Sequence, residues 1–171
     1  YGDEQGLFAL REKIATTLYQ GRISPDEVFI SDGAKCDVGR LQMLFGEDVS
    51  IGLQDPAYPV YLEGSILQGV KKVHLLPCTK ENGFFPDLKN VPPLDLRYIC
   101  TPNNPTGIPY TYPHLKELIS FAKENKSIIL YDAAYAAYIQ DKNLPTSIYD
   151  VEGGKEVAIE INSLSKMAGF T

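Results

Sequence analysis

Two hydrophobic periods alternate along this chain. Over residues 6–20, Leu7, Leu10, Ile14 and Leu18 recur at helical spacing, Arg11, Glu12 and Lys13 fall off their face, and Gly21 stands where a helix would stop. An amphipathic helix is expected there. Val28-Phe29-Ile30-Ser31 is a short apolar run that predicts a strand, and Asp32-Gly33-Ala34-Lys35 turns from it into a second helix carrying Val38, Leu41, Leu44 and Phe45. Further strands are expected at residues 49–54, 70–76, 96–100, 127–132 and 157–161, with helices at 61–67 and 115–122. The run S-I-I-L-Y-D at 127–132 is so apolar that both faces of its strand must be covered. Apolar strands separated by helices predict an α/β fold, a three-layer sandwich with a mostly parallel sheet and helices on both sides.

Punctuation between these segments is dense. D-P-A-Y-P at 55–59, the proline- and glycine-broken loop at 80–93 and T-P-N-N-P-T-G at 101–107 are rigid turns. In such sheets ligands bind at the carboxyl ends of the strands. Gly33, Tyr58, Asn104, Asp132 and Lys166 each follow a predicted strand, so a parallel arrangement gathers all five at one rim.

Composition narrows the picture. With 171 residues and 44% hydrophobic content, the chain can bury one substantial core, so a single domain is expected. A net charge of −6 argues against a nucleic-acid or anionic-membrane binder, and no apolar run reaches the roughly 20 residues of a membrane span. The chain reads as soluble. Cys36, Cys78 and Cys100 are odd in number and widely spaced, so reduced thiols of a cytosolic protein are expected rather than disulfides or zinc. Without a starting methionine, and with Gly169-Phe170-Thr171 following so soon after Lys166, the sequence reads as a piece of a longer protein.

The candidate chemistry centres on Lys166, flanked by Ser163 and Ser165 and followed by small Ala168 and Gly169. An amine for a carbonyl, a carboxylate for a pyridinium nitrogen (Asp132) and a phosphate-binding helix start (Gly33 to Lys35) are the requirements of pyridoxal phosphate chemistry. Each also has a plainer reading. Asp132 serves equally as a turn cap, Tyr58 as a packing tyrosine, Asn104 as a turn amide, Tyr135 as a core aromatic, and the serines as turn formers.

The motifs P-N-N-P-T-G at 102–107, Y-D-A-A-Y at 131–135 and S-L-S-K at 163–166 resemble, in order and spacing, the signature of fold type I pyridoxal phosphate aminotransferases. Within them, Y-G-D-E-Q-G at 1–6, S-D-G-A-K at 31–35, Q-D-P-A-Y-P at 54–59 and E-N-G-F-F-P-D-L at 81–88 resemble the LL-diaminopimelate aminotransferases. The resemblance runs over the whole chain and implies a cofactor-binding large domain at 1–171, its final strand and the small domain lying beyond it. It implies that Lys166 binds the cofactor covalently and moves the substrate proton, that Asp132 pairs with the ring nitrogen and that Tyr58 stacks on the ring. Asn104 and Tyr135 would hold the phenolic oxygen, and Ala34, Lys35, Ser163 and Ser165 the phosphate. Tyr1 would reach the phosphate of a neighbouring subunit. Glu4, from that neighbour, would receive the distal ammonium of the substrate, with Lys35, Tyr58 and Asn104 also near it. A homodimer in the cytoplasm, or in a plastid if the source is a plant, acting on amino and 2-oxo acids, is what the resemblance implies. An aminotransferase for another amino acid, or a pyridoxal phosphate-binding regulatory domain, would share most of these features.

Overall fold

A computed structural model describes residues 2–170, so the role expected of Tyr1 lies outside the described residues. The helices of more than one turn are α1 (Phe8–Thr17), α2 (Ala34–Phe45), α3 (Val60–Leu67) and α4 (Tyr112–Asn125). Single turns α5 (Gly154–Val157) and α6 (Leu164–Met167) follow later. The strands β1 (Ser50–Asp55), β2 (Lys72–Pro77), β3 (Leu96–Cys100), β4 (Ile128–Asp132) and β5 (Ala158–Ile161) form one sheet in the order β2-β1-β3-β4-β5. Every pairing is parallel.

Side chains of β3 and β4 alternate between two cores, as the period of a strand requires. Ile99, Ile129 and Tyr131 face Leu115, Leu118, Ile119 and Ala122 of α4. Leu96, Tyr98 and Leu130, with Ile51 and Leu53 of β1, face Val38 of α2 and Tyr61 of α3. Burying Leu115, Leu118 and Ile119 contributes roughly 2 kcal/mol each, enough to hold α4 against one face of the sheet. The same helix is closed at its start by Thr111, whose hydroxyl accepts from the His114 N–H at 3.4 Å. Arg97 interrupts the apolar pattern of β3 yet is fully buried. Its guanidinium lies 4.3 Å from the Phe121 ring centroid and donates to the Ser127 hydroxyl, and burial lowers its pKa to about 10.

Two expectations are corrected. Residues 28–31 are not a strand of this sheet. Ile30 donates its N–H to Gln5 O at 2.9 Å, so the segment is tied to the N-terminal stretch instead. Gly6 crosses Ile30 so closely that a Cβ there would stand 2.6 Å from Ile30 Cβ, and its φ of +90° also favours glycine. Of the apolar face expected on α1, Leu7, Leu10 and Leu18 are exposed, Leu7 at 69%, and Ile14 packs against the edge of a small core, while Arg11 and Ala15 point inward. Arg11 is held there because its guanidinium donates to Gly6 O at 3.1 Å and Pro25 O at 2.8 Å, replacing the water it loses. Among the described residues, no helix is long and apolar enough to cross a membrane.

Candidate active site

The chain runs from β1 outward to β2 and then returns to the other side of β1 at β3, so the direction of strand order reverses between β1 and β3. Loops leaving two such strands diverge and open a crevice at their carboxyl ends. Tyr58 stands in the loop after β1, and Asn103 and Asn104 in the loop after β3. Asn103 is buried and ties the loops together, donating from Nδ2 to Pro56 O at 3.0 Å and closing its own turn by accepting from Gly107 N–H at 2.7 Å. The prolyl bonds Asp55-Pro56, Thr101-Pro102 and Asn104-Pro105 are cis. Cys100, Asp132 and Ile161 are in register at the ends of β3, β4 and β5, which sets Asp132 in the middle of the rim.

Asp132 is 8% exposed and takes two donors, the Tyr61 hydroxyl on Oδ2 at 2.6 Å and the Ala134 N–H on Oδ1 at 2.9 Å. Burial raises its pKa above the ordinary carboxylate value, and those two donors partly offset the rise. The surroundings are equally dry. Cys100 is pushed up to about 12 by burial, with the Asp132 charge adding to it, and the Tyr61 phenol is raised for the same two reasons. Tyr61 is fixed by stacking on Tyr98, with centroids 5.2 Å apart, and meets Tyr58 edge-on at 6.0 Å. Tyr61 was missed in the sequence, where it reads only as the second residue of a helix, and its contact with Tyr58 in the preceding loop shows only in the fold.

Lys166 is not at a strand end as expected. Chain leaving β5 at Ile161 passes Asn162 and Ser163 before closing the single turn α6, and Lys166 sits within that turn. Its amine is exposed, makes no hydrogen bond or ion pair among the described residues, and lies 5.8 Å from the centroid of the Tyr135 ring. Tyr135 and Asn104 line one wall of a cavity of about 540 Å³ together with Tyr138, Ile139 and Leu144. Asp132, Tyr58 and Lys166 do not line that cavity.

Gly33 does not follow a strand, which corrects that part of the expected alignment, but it does open α2. No side chain caps this helix, so the first-turn N–H groups of Ala34 and Lys35 are left for an anion. Arg40 Nη1 pairs with Asp32 at 2.6 Å and Asp37 at 3.0 Å, offsetting part of the negative charge beside this helix start. Glu4 is exposed in a turn closed by Gly6 N–H on Asp3 O, and no hydrogen bond among the described residues links it to Asp132, Tyr58 or Lys166.

The chain matches the family described as aminotransferase class I and II over residues 1–171. It is similar to LL-diaminopimelate aminotransferase of Protochlamydia amoebophila, 52% identical over 100% of this chain and 44% of that protein. The chloroplastic LL-diaminopimelate aminotransferase of Arabidopsis thaliana is 50% identical over 100% of this chain and 40% of its own length. This chain therefore spans less than half the length of those relatives. The solved L,L-diaminopimelate aminotransferase of Chlamydomonas reinhardtii superposes with a TM-score of 0.95 at 46% identity, covering 100% of this chain and 45% of that one. An aspartate aminotransferase of Thermotoga maritima gives 0.87 at 29% identity, with 100% and 48% covered. A parallel sheet matched over its full length by the family and by solved aminotransferases places this chain in the aminotransferase class I and II family.

Proposed function

We propose that this chain is the pyridoxal 5'-phosphate-binding large domain of an aminotransferase that interconverts tetrahydrodipicolinate and LL-diaminopimelate in lysine biosynthesis, with glutamate and 2-oxoglutarate as the other pair. The observation that carries this reading is a buried carboxylate at the end of β4, Asp132, that pairs with no cation among the described residues, together with an exposed amine, Lys166, in the turn that follows the adjacent strand β5. A ligand fitting them has a basic nitrogen and an electrophilic carbon, and the uncapped start of α2 suits an anionic tail. Pyridoxal phosphate has all three, and when bound it supplies an electron sink for the carbanion formed at the substrate Cα. The choice of diaminopimelate rests on the names of the relatives at about half identity.

Within this reading Asp132 holds the ring nitrogen protonated, and Tyr61 and Ala134 keep the carboxylate ionised and aimed. Tyr58 covers a ring face. Asn104 and Tyr135 donate to the phenolic oxygen, while Ala34, Lys35, Ser163 and Ser165 hold the phosphate. Lys166 binds the cofactor between turnovers and carries a proton to and from the substrate Cα. Glu4, placed by a partner subunit in a homodimer, receives the distal ammonium, and Tyr1 reaches the partner's phosphate. Substrate also meets Lys35, Tyr58 and Asn104. The cytoplasm, or a plastid in a plant, is the proposed compartment. The test is to mix full-length protein with LL-diaminopimelate and 2-oxoglutarate and measure glutamate. Glutamate formation with LL-diaminopimelate but not with aspartate supports the assignment; the reverse selectivity points to another aminotransferase on the same scaffold.

A further inference from the structure

Residues 163–170 carry Lys166, and their hydrogen bonds stay almost entirely within the segment. Lys166 and Met167 donate to Ser163 O, and Ala168 and Phe170 donate to Leu164 O. Among the described residues, two hydrogen bonds leave the segment: Ser163 N–H donates to the adjoining Asn162 Oδ1 at 2.9 Å, and one bond reaches across the fold. The Tyr138 hydroxyl donates to the Lys166 carbonyl at 3.0 Å, across 28 positions of sequence. That carbonyl is at the end of a one-turn helix, no backbone N–H among the described residues donates to it, and Phe170 N–H has already turned to Leu164. A helix of one turn has little stability of its own, so its orientation depends on what it is tied to.

The second tie lands on the same place. Tyr135, which immediately precedes the 3-10 turn Ala136–Tyr138, is the ring beside the Lys166 amine, and Tyr135 and Tyr138 lie 6.2 Å apart with their planes tilted by 32°. That turn follows directly from Asp132 through Ala133 and Ala134, and Ala136 donates back to Ala133 O at 2.9 Å. Position is thus passed from the buried end of β4 to the 3-10 turn, and from there to the lysine by one phenol and one ring.

We propose that Tyr138 is a positioning residue for Lys166, holding the lysine turn against the Ala136–Tyr138 turn so that the amine stays at the rim beside Tyr135. The proposal rests on the reading of Lys166 as the cofactor lysine. Tyr138 is 61% exposed, so it is not retained by burial, and its loss does not open a core.

The test uses full-length protein and Tyr138→Phe, which keeps the ring and removes only the donor, with Tyr138→Leu as the variant lacking both. In cofactor-free protein, amide hydrogen exchange at Met167 and Ala168 should speed several-fold in Tyr138→Phe while exchange in β4 is unchanged. In loaded enzyme kcat should fall about tenfold with KM nearly constant, the size expected when a reacting group is misplaced by a fraction of an ångström. The pH midpoint of the absorbance of the lysine-bound cofactor should also move. Borohydride labelling of the wild type is run alongside. A label on Lys166 with unchanged exchange, kcat and midpoint in Tyr138→Phe overturns the positioning role and leaves the functional reading standing. A label on another lysine overturns both.

Discussion

The Tyr61 hydroxyl and the Asp132 carboxylate meet at 2.6 Å although 71 residues separate them, joining the helix after β1 to the end of β4. A buried carboxylate facing a phenol and a backbone N–H, with no cation paired to it among the described residues, is poised to hold a proton on a basic nitrogen and costs stability when nothing does so.

That cost gives the first prediction. Burial lifts the folded-state pKa of Asp132 above its unfolded value, so its favourable contribution is present below about pH 4 and is lost as pH rises through the folded value. At neutral pH the charge is a net burden on the cofactor-free fold. Asp132→Asn should therefore leave the cofactor-free full-length protein as stable as wild type or more so at pH 7, while kcat for amino transfer falls by about 10²–10³, the scale of a lost electrostatic contact. Thermal melts and steady-state assays decide it. Near-normal transfer by the variant would reduce Asp132 to a cap on Ala134.

Tyr61→Phe should lower kcat less, about tenfold, because Ala134 N–H remains on the carboxylate, and should destabilise the fold by about 1–3 kcal/mol. A chemical-denaturation midpoint and kcat measured on the same preparation check both halves.

Borohydride reduction of the loaded protein followed by peptide mapping should place the pyridoxyl mass on Lys166. Lys166→Ala should abolish turnover and still bind cofactor without a covalent link. A label on Lys35, which opens α2, would sink the assignment.

Glu4 makes no hydrogen bond to the rim among the described residues, so its expected role calls for a second subunit. Mixing Lys166→Ala chains with Glu4→Ala chains should restore activity in the heterodimers. Glu4→Gln should lower kcat/KM for LL-diaminopimelate far more than for glutamate, which lacks the distal ammonium. An unchanged ratio would mean that Glu4 does not read the substrate.

A second carboxylate, away from the rim, gives a pH prediction. Glu160 of β5 accepts from the Tyr19 hydroxyl at 2.9 Å, the Ser147 hydroxyl at 2.6 Å and the Ile148 N–H at 3.0 Å. Burial raises its pKa to about 7 against these donors, and Asp150, itself paired with Arg22, adds to the rise. Its folded value lies above its unfolded one, so the stability it lends is full below about pH 4 and is lost as pH climbs through about 7. Glu160→Gln can keep its oxygen on Ser147 and Ile148 and turn its amide toward Tyr19. It should gain on wild type between pH 6 and 8, by up to about 3 kcal/mol. Parallel Tm curves across that range would refute this.

Local pattern reached most of the sheet, because strands buried on both faces must be apolar whatever surrounds them. Residues 96–100 and 127–132 were legible for that reason, and the turns after them from their prolines and amides. Lys166, Asp132, Tyr58 and Asn104 stood out through their motifs. What local pattern could not say is which apolar segments this sheet accepts. Residues 28–31 have the composition of a strand but spend the Ile30 N–H on Gln5, and most of the apolar stripe of α1, Ile14 apart, is exposed while Arg11 has two carbonyls to bind inside. The partners of the chemical groups were equally out of reach. Tyr61 on Asp132, Tyr138 on the Lys166 carbonyl and Tyr19 on Glu160 join residues 71, 28 and 141 positions apart. Such contacts depend on the register of parallel strands and the seating of helices across them, and the chain settles both only when its two cores close.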